Sequence, residues 1–190
     1  MCDHSVSLIP DTLQKLFDNS SIALSLADAG QDKPLIAINT PFCNLTGYTK
    51  NEIIGRNCRF LQKNADNTIA RKELRDFLDN KGDLSIRKVL INFKSDGTPL
   101  INLLYMSRLC DSKGNTRFIL ASQFEISNSY PETFANYGIE LQSTVQKITP
   151  AVAQAGIILE GSIRAIANST SMIAQAKLTL EELKNSGPVF

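Results

Sequence analysis

Few residues in this chain have chemistry to offer. The densest group is GRNCRFLQ, residues 55–62, where the thiol of Cys58 stands between the amide of Asn57 and the guanidinium of Arg59, with Leu61 and a second amide, Gln62, just beyond. On a helical turn Cys58, Leu61 and Gln62 share one side. Three further amides, Asn92, Asn102 and Gln123, fall in strand-like segments downstream, and Arg75 supplies a second guanidinium. Two guanidiniums converging at the mouth of a site suit a phosphate. Amides among apolar side chains suit a flat, mostly apolar ligand whose edge carries both donors and acceptors, because an amide matches either kind. Taken singly, each has a plainer reading: a buried cysteine as a small hydrophobe, an amide bonded to nearby backbone, an exposed arginine in water. Their combination is what points to a ligand.

The remaining composition narrows the field. The 190 residues include one histidine, His4, and four widely spaced cysteines, Cys2, Cys43, Cys58 and Cys110, with no CxxC pair. A zinc site and a disulfide framework are therefore both unsupported, and no metal is expected. Cys43 and Cys110 read as core or strand-end residues. A net charge of +1 creates no field for nucleic acid or an anionic membrane, and no apolar run approaches the roughly 18 residues of a membrane span. The opening MCDHSVSLIP carries Asp3 and does not read as a signal peptide. The expectation is a soluble, cytoplasmic protein without nucleic-acid or membrane partners.

The elements that must position these residues follow from periodicity and turn chemistry. Leu13, Leu16 and Phe17 at i, i+3, i+4 after a cap at Asp11 predict a short amphipathic helix. Residues 21–28 and 34–39 read as a hairpin across AGQDKP. Short helical pieces follow, then a helix over 66–79 with Ile69, Leu74, Phe77 and Leu78 inward. Strands are expected at 84–94, 98–109 and 116–127. If SDG is a three-residue loop with Gly97 left-handed, Lys94 pairs with Thr98, Asn92 with Leu100 and Leu90 with Asn102. Leu90, Asn92, Asn102, Leu104 and Met106 then share one face, as Ile119, Ala121 and Gln123 do on the next strand. The order describes an α+β domain: a five-stranded antiparallel sheet with helices gathered on one face.

Beyond residue 128 the strand pattern stops. Leu141, Val145, Ile148, Val152, Ala155, Leu159, Ser162, Ile166, Ser169, Ile173, Ala176, Leu180 and Leu183 follow alternating spacings of 4 and 3, a heptad seam. ITPAV interrupts it, with Thr149 as N-cap and Pro150 at the first helical position, so two helices with a break near 149–150 are expected. The tail's four cationic residues against five glutamates give it no DNA-binding character. The organisation is a helical cap over 1–19, a domain over 20–128 and a helical extension over 129–190. The extension either folds against its own domain or meets a partner, with Leu13, Leu16 and Phe17 able to supply part of that partner surface.

At these motifs the chain resembles the LOV domains, the blue-light-sensing, flavin-binding branch of the PAS fold. GRNCRFLQ matches the LOV signature residue for residue, and FCNLTGY, EIIGRNCRFLQ, LINFKSDGTPLINLL and FILASQFE look like the corresponding LOV stretches, a similarity running from residue 20 to about 127. The resemblance implies FMN as cofactor and Cys58 as the photoactive thiol that adds reversibly to flavin C4a. It implies Asn92 and Asn102 on the polar ring edge, and Gln123 near O4 and N5 as the signalling amide. Asn57 and Gln62 would meet the ribityl chain, Arg59 and Arg75 the phosphate, and Leu61, Leu104, Met106, Ile119 and Ala121 the ring. Many LOV domains have glycine at the position of Ala121 and phenylalanine at those of Leu104 and Ile119, so the lining here is less aromatic. The expected protein is a photoreceptor and not an enzyme, forming a homodimer through its extension or contacting a separate effector. A flavin-based redox sensor or enzyme, and a ligand-free PAS interaction module, are the competing readings.

Overall fold

A computed structural model describes residues 9–79, 83–126 and 157–185, with side chains in the last segment described for 166–182. Helix α1 (Asp11–Asn19) begins on Pro10, whose carbonyl accepts from the Leu13 and Gln14 amides at 2.9 and 3.1 Å. Asp11, expected as the cap, is instead the first helical residue and makes no capping bond. The proline has already set the entry angle, and the carboxylate still favours the helix N-terminus. Strands β1 (Ala23–Asp28) and β2 (Leu35–Ile38) form the expected antiparallel hairpin.

Asn39 then turns the chain into helix α2 (Thr40–Thr46). Its side-chain oxygen accepts from Phe42 N at 3.1 Å and Leu24 N at 2.9 Å, while its nitrogen donates to Ile22 O at 2.7 Å. One buried amide thus caps a helix and binds a strand. Gly47 ends α2 at φ 73°, and Ser95 donates to its carbonyl at 2.8 Å. A Cβ at this glycine would lie 2.6 Å from that Ser95 hydroxyl, so the left-handed turn and the close approach both require glycine.

Helix α3 (Lys50–Ile53), a 3₁₀ turn (Cys58–Gln62) and helix α4 (Thr68–Leu78) follow. The inward face of α4 differs from the expectation at one position. Leu74 and Phe77 are buried, Ala70 packs beside them and Leu78 is half-buried, but Ile69 is 62% exposed. The stripe is anchored by Asn67, whose amide accepts from Ile91 N at 3.0 Å and donates to Ile91 O at 2.9 Å. Ile69 lies one position, about 100° of rotation, off the line through Ala70, Leu74 and Phe77.

Strands β3 (Ser85–Phe93), β4 (Pro99–Cys110) and β5 (Thr116–Glu125) complete an antiparallel sheet of order β2-β1-β5-β4-β3. The register read from SDG holds: Leu90 faces Asn102, Asn92 faces Leu100, Lys94 N donates to Thr98 O at 2.8 Å, and Gly97 has φ 91°. Helices α2 to α4 and the 3₁₀ turn cover one face. The other is covered by α1 and by helix α5 (Ile157–Asn185), which runs along β4. There Leu13, Phe17, Leu24, Leu26, Leu109, Phe118, Leu120, Ala174 and Leu178 form one buried cluster. Burial of each large side chain contributes roughly 1.5–3 kcal/mol.

The docking stripe of α5 is not the heptad seam. Ala167, Thr170, Ala174 and Leu178 are buried, whereas Ile166, Ile173 and Leu180 are 45%, 47% and 57% exposed. Leu13 and Phe17, expected to be available to a partner, are fully buried against Ala174 and Leu178 of the same chain. Side-chain bonds fix the docking: Ser107 to Ser171 at 2.8 Å, Gln175 to both backbone groups of Cys110 at 2.9 Å, and Ser112 N to Glu182 at 3.0 Å. The earlier seam positions, the break at 149–150 and the boundary at 128 lie outside the described residues, as do Cys2 and His4. Among the described residues no helix is long and apolar enough to cross a membrane.

Candidate functional site

The inner face of the sheet brings together most of the residues singled out by type. Alternation along β3, β4 and β5 sets Asn92, Asn102 and Gln123 side by side, all buried, with Leu90, Leu104 and Ala121 packed between them and Leu74 of α4. Met106 and Ala70 border this cluster, and Ile119 is buried on the same side of β5. The cross-strand pairs Leu104–Gln123 and Met106–Ala121 hold it in register.

The three amides form a chain. Asn102 donates one hydrogen to Asn92 Oδ1 at 2.8 Å and another to Gln123 Oε1 at 3.2 Å, and Gln123 Nε2 donates to Ser25 Oγ at 3.3 Å. Asn92 Nδ2 donates to Ile91 O at 3.3 Å. The carbonyl oxygen of Asn102 is left buried without a partner among the described residues, and so is Oε1 of Gln62. A buried acceptor left open costs about 1–3 kcal/mol unless a donor reaches it. These two oxygens therefore call for a ligand that presents N–H or O–H groups at the sheet and at the 3₁₀ turn.

That turn is built from Asn57, whose side-chain oxygen caps it by accepting from Arg59 N at 2.9 Å. The Asn57 amide nitrogen donates to the Asp32 carbonyl, and the Arg59 guanidinium pairs with the Asp32 carboxylate. Leu61 is buried with Ala23, Leu35, Ile38, Phe42 and Ile53, and Cys58 packs against the same group. Desolvation pushes the Cys58 thiol up to about 12 from an ordinary 9.0, so the sulfur keeps its proton near neutrality. A protonated thiol is a poor ground-state nucleophile or metal ligand. Its chemistry must await a partner that becomes electrophilic. Cys43 belongs to the same cluster, and burial likewise raises its thiol.

The two arginines differ in setting. Arg59 is tied to Asp32 at the surface, while Arg75 is exposed on α4. Asp32, Ser25 and Asn67 are the residues that reading by type missed. Each bonds across a long sequence gap, from 24 residues for Asn67 to 98 for Ser25, and only the strand order, which lays β1 beside β5 with Ser25 opposite Ala121, could have revealed Ser25 within reach of Gln123.

The residues present fit a flavin. An isoalloxazine edge offers an imide N–H between two carbonyls, matching the open Asn102 oxygen and the amide donors around it. Ribityl hydroxyls supply donors of the kind Gln62 lacks.

Comparison with known proteins agrees. A PAS domain profile matches residues 20–128. Phototropin-1A of rice is 30% identical over 124 residues, which are 65% of this chain and 13% of that protein. A blue-light photoreceptor of Listeria innocua is 30% identical over 139 residues, 73% of this chain and 52% of that one. The chain thus spans about half or less of the length of these curated relatives. The crystal structure of a Rhodobacter sphaeroides LOV protein is 30% identical, with 94% of this chain and 97% of that one covered at a TM-score of 0.59.

Proposed function

The chain belongs to the PAS family, in its LOV branch, and from that premise we propose that it is a cytoplasmic blue-light photoreceptor that binds FMN and signals through its helical extension. Its relatives are blue-light sensors. The observation that carries the cofactor reading is the pair of open buried oxygens, Asn102 Oδ1 on β4 and Gln62 Oε1 on the 3₁₀ turn. When bound and excited by blue light, the flavin supplies an electrophilic C4a carbon and a basic N5.

The chain's own residues do the rest. Cys58, held protonated by burial, would supply a sulfur and a proton from one group, so addition to the flavin would need no external base and its reversal would return the proton to sulfur. Asn92 and Asn102 orient the polar ring edge, and Gln62 with Asn57 holds the ribityl chain. Arg59, steadied by Asp32, meets the phosphate together with Arg75. Leu61, Leu104, Met106, Ile119 and Ala121 exclude water from the ring.

Gln123 senses the change. Its oxygen accepts from Asn102 and its nitrogen donates to Ser25, so a flavin N5 within its reach that turned from acceptor to donor would favour the flipped amide and a rearranged chain of bonds. β5 carries that change towards the outer face, where α5 lies against β4. The seam residues Ile166, Ile173 and Leu180, spaced by sevens and exposed, are the surface through which the protein self-associates.

The test is absorption before and after blue light on the purified chain. A flavin spectrum that bleaches and recovers in the dark is expected for wild type. Cys58→Ala should keep the flavin and lose the reversible bleach. Bleaching only by a chemical reductant would instead establish a redox protein, and a colourless protein a ligand-free module.

A further inference from the structure

Asp32 engages two of the residues assigned to the cofactor on the 3₁₀ turn. Its carbonyl accepts from the Asn57 amide, and its carboxylate pairs with the Arg59 guanidinium. The turn that carries Asp32 is closed by its own backbone, with Asp28 N donating to Pro34 O at 2.9 Å and Lys33 N to Gly30 O at 3.2 Å. Pro34 also bridges to Asn57, so the two turns are joined independently of the ion pair. Asp32 and Lys33 both have positive φ, 61° and 47°. Glycine or asparagine would occupy that left-handed backbone at position 32 as readily as aspartate, and any residue would offer the carbonyl. What aspartate alone adds is a negative charge beside Arg59.

That charge stands where a phosphate would meet the site. The Arg59 and Asp32 side chains are 60% and 54% exposed, so the pair contributes little to stability and is open to a third charge. A carboxylate one hydrogen bond from the guanidinium offsets much of the attraction that Arg59 exerts on an incoming anion, and it repels the anion directly. Resting on the reading of this site as an FMN site, we infer that Asp32 is a specificity-determining residue. Its bond keeps Arg59 in place, while its charge lowers the preference for the phosphorylated flavin over riboflavin.

The test is fluorescence titration of the flavin-free full chain with FMN and with riboflavin, and the readout is the ratio of the two dissociation constants. Asp32→Asn keeps an oxygen for Arg59 and suits the backbone but drops the charge. It should raise the preference for FMN about three- to tenfold, the effect of one nearby charge on a phosphate dianion in largely aqueous surroundings, and change riboflavin affinity far less. Asp32→Gly removes the same charge from the same backbone and should move the ratio in the same direction. In both variants the gain should shrink at high salt, because the charges are exposed. If wild type binds both flavins and neither variant raises the ratio, the role of Asp32 is overturned and the flavin site stands. A gain that salt does not diminish also overturns it, since a change of shape and not of charge would then be responsible. Binding of neither flavin by wild type overturns the reading of the site, and this role with it.

Discussion

On the side of the sheet towards α1 and α5, Leu24, Leu26, Leu109, Phe118 and Leu120 meet Leu13, Phe17, Ala174 and Leu178, apolar against apolar. On the side towards α4 and the 3₁₀ turn, Leu90, Leu104 and Ala121 share their space with three buried amides and an open Asn102 oxygen. The same strands make both faces, because alternation sends successive residues to opposite sides. One face supplies the stability that lets the other keep polar groups poised for a ligand.

The sharpest way to test that division is Phe118→Ala. It should destabilise the chain by about 3–5 kcal/mol in urea unfolding, the cost of a large cavity in a fully buried cluster. An equal loss from Leu104→Ala would erase the distinction between the faces. Asn102→Leu should do the converse. Flavin affinity, followed by fluorescence titration, should fall by about 1–3 kcal/mol, and the flavin-free chain should lose less stability than Phe118→Ala does, because removing the open Asn102 acceptor offsets part of the cost of the bonds lost to Asn92 and Gln123.

A smaller effect is expected where α5 is held. Gln175→Leu removes both bonds to Cys110 and should speed hydrogen exchange across 166–182 by a local cost of about 1–2 kcal/mol, leaving β4 and β5 protected. Uniform loss of protection across the domain would show that α5 and the sheet unfold as one unit. Smallest in stability is the double change Ile173→Ser, Leu180→Ser. It should shift unfolding by no more than about 0.5 kcal/mol yet lower the mass seen by light scattering at high concentration. An unchanged mass would move the self-association surface elsewhere.

How far the sequence could be read depended on the range of the interaction. The β3–β4 register was legible because SDG places a glycine where the backbone must be left-handed, and the pairs Leu90–Asn102 and Asn92–Leu100 follow from counting outward. The amide cluster was legible for the same reason. The face of α5 was not. Periodicity selects the largest apolar side chains, Ile166, Ile173 and Leu180, whereas the helix docks through small residues and hydrogen bonds at Ala167, Ser171, Ala174 and Gln175. Small residues permit a close approach that hydropathy does not record. Ile69 was misread because a polar residue, Asn67, anchors the first turn of α4 to β3. Asp32 escaped notice because its partner Arg59 lies 27 residues away across a turn.

Asn67 has one further consequence. β3 and β2 are the outermost strands, and such strands invite pairing with another chain. At Ile91 the outward N–H and C=O of β3 are both taken by the Asn67 side chain, a short polar plug in place of a sixth strand. On β2, Leu35 is bonded in the same two ways by the backbone of Gly55 and Arg56. The two plugs interrupt the free backbone row on each outer strand, so neither edge offers a second copy of the chain an unbroken template on which strands could be added into a fibre.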